Sequence, residues 1–318
     1  MIELEHVTKR YGSVFALKDV SFRVDKGGIV GLLGRNGAGK TTALNIMTGY
    51  LPPTKGQVRV GGENMLENPR ACKRRIGYLP ERPPLYDEMT VRDYLKFVCR
   101  LREVAPKAMK AHIDEIVSLC ALEDVQNRVI SHLSKGYRQR TGIAQALCGT
   151  PEVLILDEPT VGLDPGQNAE IRELIRALGR DHTVIFSSHI LSEVQQLCSR
   201  VLILHEGRMI RSLDMDGQED GVMRLRLNAA MGRDALLGRM RQLECVEKAE
   251  AAPDGDDVLL TCRKAEGGLP PQDLIFRALA EADAPIRSLS EERDSLEEVF
   301  LRATALGDRA EEAEEIIR

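Results

Sequence analysis

The sequence predicts an α/β protein: a doubly wound, mostly parallel sheet interrupted by a helical insertion, followed by a small α+β domain. Three observations predict it. Four apolar runs without polar alternation, IVGLLG at 29–34, VLIL at 153–156, TVIF at 183–186 and VLIL at 201–204, have the length of strands buried on both faces. Helical spacing separates them, as crossovers between parallel strands require. Residues 34–41, GRNGAGKT, place a glycine-rich loop directly between the first run and a helix-forming segment.

The elements follow in order. Residues 2–7 and 20–24 alternate apolar and polar like two edge strands, and Gly27 and Gly28 break the chain before the run at 29–34. After the loop, Thr41 to Thr48 reads as a helix ending at Gly49, followed by a PPTKGQ turn and a strand at 57–60. From Thr90 to Leu147 the apolar residues recur at helical intervals, as in Val91, Leu95, Val98 and Ile113, Ile116, Val117. This predicts a helical subdomain over about 85–150, set into the core. A helix over 167–178 joins the second and third runs.

Beyond Gly207 a second unit begins. Strand-like 222–227, helix-like 231–243, strands near 245–250 and 257–262, a helix over 272–281 and a strand over 285–289 give the order βαββαβ. That order predicts a ferredoxin-like accessory domain within 211–318, after a first domain of 1–210. SLEEVFLRAT at 295–304 reads as an amphipathic helix, which the acidic EEAEEIIR end either continues or leaves frayed.

Composition narrows the class. With 318 residues, 43% hydrophobic and 29% charged, the chain can bury two cores and is no disordered tract. Apolar runs stay well short of the roughly 18 residues that span a bilayer. The start, MIELEHVTKRYG, lacks the basic and apolar regions of a signal peptide, so a cytosolic chain is expected. Seven scattered cysteines without a CxxC pair predict reduced, packed thiols rather than zinc ligands or disulfides. The charge is divided: 29 basic and 24 acidic residues in 1–210 give +5, against 15 and 25, hence −10, in 211–318. The basic half suits polyphosphate, and the acidic half disfavours nucleic acid as a partner.

The motifs carry the chemistry. Gly34, Gly37 and Gly39 let backbone N–H groups turn inward around phosphate oxygens, reinforced by the positive end of the following helix. Gly34, Asn36, Gly37, Ala38, Gly39, Lys40, Thr41 and Thr42 are the candidate phosphate site. Lys40 can reach the β- and γ-phosphates and the Thr41 hydroxyl can ligate Mg²⁺. Asp157 and Glu158 end an apolar strand, where doubly wound sheets bind ligands. Asp157 can hold the metal, while Glu158 can polarise a water for in-line attack at the γ-phosphorus.

These segments, with LSKGYRQR at 133–140 and LILDEPTVGLDP at 154–165, together resemble the ATP-binding subunit of an ATP-binding cassette transporter. The resemblance covers roughly 1–210 and implies a P-loop NTPase fold, ATP with Mg²⁺, a separate membrane permease and a second cassette. It implies that Ser134 and Gly136 bind the γ-phosphate held by a partner chain, most simply a second copy of this one. It also implies that Tyr11 stacks on adenine, Asp164 lies in a loop crossing the dimer interface, and His189 is the switch histidine contacting the γ-phosphate. His6, His112, His132, His182 and His205 are assigned no role.

Two departures are informative. The family usually has a Gln in the loop after GYLP, where Glu81 stands, a position reaching metal and permease. In the signature, Lys135 and Tyr137 replace the usual Gly and Gln. Both resemble the exporter branch, as does LEEVFL at 296–301. The resemblance therefore implies an exporter ATPase, cytoplasmic and peripheral on the inner membrane face. The alternatives are a soluble ATPase acting on a ribosome or nucleic acid, which normally carries paired cassettes or long insertions, and a non-hydrolysing regulator, which would lack Glu158 or His189.

Overall fold

The computed structural model describes residues 1–215, 222–253, 255–263, 269–291, 296–297, 300–301 and 304. The chain divides into two compact units, Met1–Met215 with the segment from Phe300, and Asp216–Val299.

The first unit opens with a hairpin of β1 (Ile2–Tyr11) and β2 (Val14–Val24). β3 (Ile29–Leu33), buried at all five positions, leads through the glycine-rich loop into α1 (Lys40–Met47). β4 (Lys55–Val60) pairs antiparallel with β1, and β5 (Glu63–Asn64) with β4. The alternating segments at 2–7 and 20–24 thus belong to a separate four-stranded antiparallel sheet, ordered β2-β1-β4-β5, and do not edge the parallel one. Alternation gives them one apolar face, and Ile2, Leu4, Val7, Val20 and Val24 bury it against Leu44, Met47, Ile155 and Leu202 in a shared core.

After α2 (Pro69–Arg74) and β6 (Ile76–Leu79) the chain becomes helical. α3 (Val91–Leu101) starts at Thr90, whose hydroxyl accepts the Asp93 N–H, and buries Val91, Tyr94, Leu95, Val98 and Cys99. α4 (Pro106–Leu119) buries Met109, Ile113, Ile116 and Val117, and α5 (Lys135–Leu147) returns the chain to the sheet. Then come β7 (Val153–Asp157), α6 (Pro165–Asp181), β8 (Thr183–Ser188), α7 (Leu191–Leu197), β9 (Arg200–His205) and β10 (Arg208–Asp214). The six-stranded sheet is ordered β10-β9-β3-β8-β7-β6, parallel except for antiparallel β10.

This order positions the site. β3 and β7 flank β8, with Leu33 beside Ser188 and Asp157 beside Ser187, so the loops leaving all three strands emerge at one end. β10 also moves the expected boundary at 210/211. Arg211 pairs with Ile203 and Asp214 with Arg200, so ladder hydrogen bonds hold the chain to the first unit until Met215.

The second unit is β11 (Val222–Ala229), α8 (Arg233–Met240), β12 (Val246–Ala251), β13 (Val258–Arg263), α9 (Pro271–Glu281) and β14 (Ile286–Glu291). Its antiparallel sheet is ordered β12-β13-β11-β14, the split βαβ arrangement of a ferredoxin-like domain. Leu225, Leu227 and Leu260 pack against Leu236, Met240, Ile275 and Leu279. The expected helix over 295–304 and the acidic tail lie largely outside the described residues. Among the described residues no helix is long and apolar enough to cross a membrane, and the seven cysteines are free and buried.

Candidate functional site

The site begins where β3 ends. A methyl group on Gly34 would stand 2.5 Å from the Leu204 carbonyl oxygen, and one on Gly39 2.5 Å from that of Ala16. The loop is therefore wedged between β9 and β2, and only hydrogen fits at these positions. Gly37 and Gly39 have φ of 84° and 101°, the left-handed region in which glycine is unstrained. No side chain caps the N-terminus of α1, so its first-turn N–H groups face the loop's concave side. Lys40 is buried, its ammonium donating to the Gly34 carbonyl at 2.7 Å and lying 3.4 Å from Glu158 Oε1.

Asp157 and Glu158 leave β7 toward that lysine. Ser187 Oγ donates to Asp157 Oδ1 at 2.6 Å and accepts the Glu158 N–H at 2.9 Å, so one hydroxyl holds both acids. Asp157 Oδ2 is buried with no hydrogen-bond partner. Burial pushes the Asp157 pKa upward, the Ser187 and Thr41 hydroxyls pull it back by hydrogen bonding, and Glu158 and Glu81 raise it through their charge. Glu158 has φ 47°, a strained value for a residue with a Cβ, costing about 1–3 kcal/mol. Its two oxygens are divided: Oε1 toward Lys40, and Oε2 accepting His189 Nδ1 at 2.8 Å. Since a carboxylate only accepts, His189 carries a proton on Nδ1 and turns Nε2 elsewhere.

Lys40, Glu158 and His189 line one cleft of about 400 Å³, within the range of small-ligand sites, while Asp157 and Ser187 are buried and do not line it. Its walls are Ala16, Arg35, Asn36, Gly37, Gly39, Lys40, Thr41, Thr42, Glu81, Glu158, Val161 and His189. Ala38 is buried behind the loop, and Gly34 serves through its carbonyl. Tyr11 does not line the cleft; it is exposed at the end of β1 with the Lys9 ammonium 5.2 Å from its ring centre. Ser134 and Asp164 lie at the N-termini of α5 and α6, accepting the N–H of Tyr137 and of Gln167. Gly136 packs against Gln167, so these two helix starts adjoin one another.

The residues that motif reading missed are Ser187, Ala16, Arg35 and Val161. Arg35 and Val161 lie inside the quoted segments GRNGAGKT and LILDEPTVGLDP, and Ser187 is the first of the doubled serine before His189. Ala16 arrives by the fold of β2, which no local pattern announces. His112 and His182 instead bond backbone groups, the Gly149 N–H and the Pro151 carbonyl.

The chemistry of the cleft suits a polyphosphate: a glycine loop closed to side chains at Gly34 and Gly39, a buried ammonium, and an orphan carboxylate oxygen suited to a cation. Known proteins agree. A family model described as ABC transporter matches residues 17–161. The bacitracin transport ATP-binding protein of Bacillus licheniformis is 40% identical over 218 residues, 68% of this chain and 70% of that one. The daunorubicin resistance ATP-binding protein of Streptomyces coeruleorubidus is 32% identical along 98% of both chains. Among solved structures, an ATP-binding cassette in a dimeric post-hydrolysis state, bound to ADP and Pi, matches with a TM-score of 0.63. It is 25% identical and covers 69% of this chain and 100% of its own. The chain belongs to the ABC transporter family, as an ATP-binding subunit with the ATPase cassette.

Proposed function

We propose that this chain powers an exporter by hydrolysing ATP between two cassettes, with Glu158 as general base and His189 as the group that holds it in place. The observation that carries this reading is the position of the Glu158 carboxylate, bonded on one side to Lys40 and on the other to His189, at the mouth of the phosphate loop. In the reaction, Lys40 and the loop N–H groups bind the polyphosphate. Glu158 takes a proton from water as its oxygen joins the γ-phosphorus and the bond to the β-phosphate oxygen breaks, leaving ADP and phosphate. Thr41, Asp157 and Glu81 are the residues that would hold Mg²⁺, and the unpartnered Asp157 Oδ2 fits that assignment. When bound, the metal neutralises phosphate charge and orients the γ-phosphoryl group.

Ser134, Gly136 and Asp164 do not line the chain's own cleft, which suits a role toward ATP held by a partner cassette, most simply a second copy. Tyr11, exposed at the end of β1, would stack on adenine. The division of labour places ATP work in the cassette and leaves the second unit accessory. A permease in the membrane would receive the motion, keeping the chain on the cytoplasmic face, with no part for nucleic acid. The export reading leans on Glu81, Lys135 and Tyr137 and on the bacitracin and daunorubicin resistance relatives.

Glu158→Gln tests the core of it. The amide keeps the shape but cannot take a proton, so phosphate release should fall about 10²- to 10⁴-fold. ATP affinity should stay within about threefold, and ATP should trap a dimer visible by light scattering. Wild-type turnover in that variant would refute the assignment.

A further inference from the structure

A buried acid outside the cleft stands beside both catalytic loops. Glu193, on α7, is 3% exposed, and its Oε2 accepts two hydroxyls, Thr160 Oγ1 at 2.8 Å and Ser188 Oγ at 3.0 Å. Both partners are themselves buried. Thr160 lies two residues beyond Glu158, on the stretch leading to Asp164. Ser188 directly precedes His189, and its Oγ also accepts the N–H of Ile190 at 3.0 Å, so it braces the backbone on both sides of the histidine.

A single oxygen thus joins the segment after the general base to the segment carrying the histidine. The first of these needs an anchor. Glu158 sits at φ 47°, and the turn beyond it is closed by bonds from Val161 N to the Glu158 carbonyl at 3.2 Å and from Leu163 N to the Thr160 carbonyl at 3.3 Å. Strained backbone persists only where its surroundings over-determine it. Burying a carboxylate is costly without hydrogen bonds, and an apolar residue would pack as well on this face of α7, beside Val194 and Leu197.

We propose that Glu193 is a positioning residue for ATP hydrolysis, setting the Glu158 to His189 geometry by holding Thr160 and Ser188 on one carboxylate oxygen. The proposal rests on the roles given to Glu158 and His189 under the proposed function. It also makes Glu193 the link by which movement of the Asp164 segment reaches the histidine.

The test compares Glu193→Leu, Glu193→Gln and Thr160→Val in the full chain, reading kcat, KM for ATP and the affinity for a fluorescent ATP analogue. Leucine removes the one oxygen that accepts both hydroxyls, so kcat should fall about 10- to 100-fold, as expected for misplaced catalytic groups, with analogue affinity within about threefold. A glutamine oxygen can still accept both hydroxyls, so Glu193→Gln should return kcat to within about threefold of wild type. Thr160→Val keeps shape while removing one bond, and should lose kcat alone by about three- to tenfold. If Glu193→Leu does not fold, Thr160→Val carries the same test. Combined with His189→Ala, the Glu193→Leu or Thr160→Val loss should not multiply, because the residues act as a unit. Unchanged kcat in Glu193→Leu or Thr160→Val, equal losses in the leucine and glutamine variants, or losses shared between kcat and affinity would overturn the proposal. Glu158→Gln separates the two readings. If it turns over normally, the general-base assignment fails; if it is inactive while Thr160→Val matches wild type, the Glu193 proposal alone fails.

Discussion

Replacing Gly39 with alanine should cost far more than replacing Gly37, although both glycines have positive φ and lie two residues apart in the same loop. At Gly39, φ is 101° and the added methyl would meet the Ala16 carbonyl oxygen at 2.5 Å and Leu17 Cδ2 at 2.9 Å. The oxygen is backbone, about 1 Å inside ordinary contact, and it cannot swing away. β2 is tied down beside it by the bond from Lys18 N to the Gly207 carbonyl at 2.7 Å. At Gly37, φ is 84° but nothing lies within 4 Å of the added carbon. Both variants carry a backbone cost of about 1–3 kcal/mol, partly offset by about 0.4–1 kcal/mol from stiffening the unfolded chain. Only Gly39→Ala adds overpacking of about 1–3 kcal/mol. The expected losses are about 3 kcal/mol for Gly39→Ala and about 1 kcal/mol for Gly37→Ala, or about 6–12 °C against 2–4 °C in Tm. Urea unfolding of nucleotide-free protein measures both. Gly39→Ala should also lose about 10²-fold in turnover, since the wedge displaces the loop that aligns phosphate with Glu158. Equal destabilisation of the two variants, or a Gly39→Ala loss below about 1 kcal/mol, would refute the reasoning that β2 contact controls this loop.

Other outcomes follow from the same geometry. Asp157 has a folded pKa raised by burial, so its contribution to stability is fully present below the unfolded value near 3.8 and is lost as pH rises through the folded one. Without nucleotide, wild type should therefore gain stability relative to Asp157→Asn on acidification from neutral pH, and urea midpoints showing the reverse trend would contradict it. Tyr11→Ala should raise KM for ATP about tenfold with kcat unchanged, while Tyr11→Phe keeps wild-type values; a kcat effect would remove the stacking role. Truncation after Met215 keeps β10 in its sheet and should leave ATP affinity within about threefold, so lost affinity in a folded truncated protein would contradict the division of labour.

Local pattern determined much of this protein. Strands over 29–33, 153–157 and 200–205 announce themselves because a strand buried on both faces has no polar alternation. GRNGAGKT, Asp157 and Glu158 stood out in the sequence because phosphate chemistry asks for particular residue types at strand ends, and His189 through the family resemblance alone; the parallel strands bring them to one end of the sheet. The helices of 91–147 and the βαββαβ order beyond 222 were legible through periodicity, with boundaries off by a few residues.

Tertiary structure alone decided the rest, because it depends on which distant segments meet. Alternation at 2–7 could not say that β1 pairs with β4 in a second sheet, since one-sided burial looks the same in either place. β10 carries the first unit to Met215 through ladder bonds to β9, which no composition shift records. The parallel order β3-β8-β7 sets Leu33 beside Ser188 and Asp157 beside Ser187, and so makes one cleft of loops more than a hundred residues apart in sequence. Ser187 and Glu193 become the frame of the Glu158 to His189 pair only when burial turns their hydrogen bonds inward. Residue types carry the chemistry; the parallel alignment of three strands, ending together at one edge of the sheet, determines which residues share it.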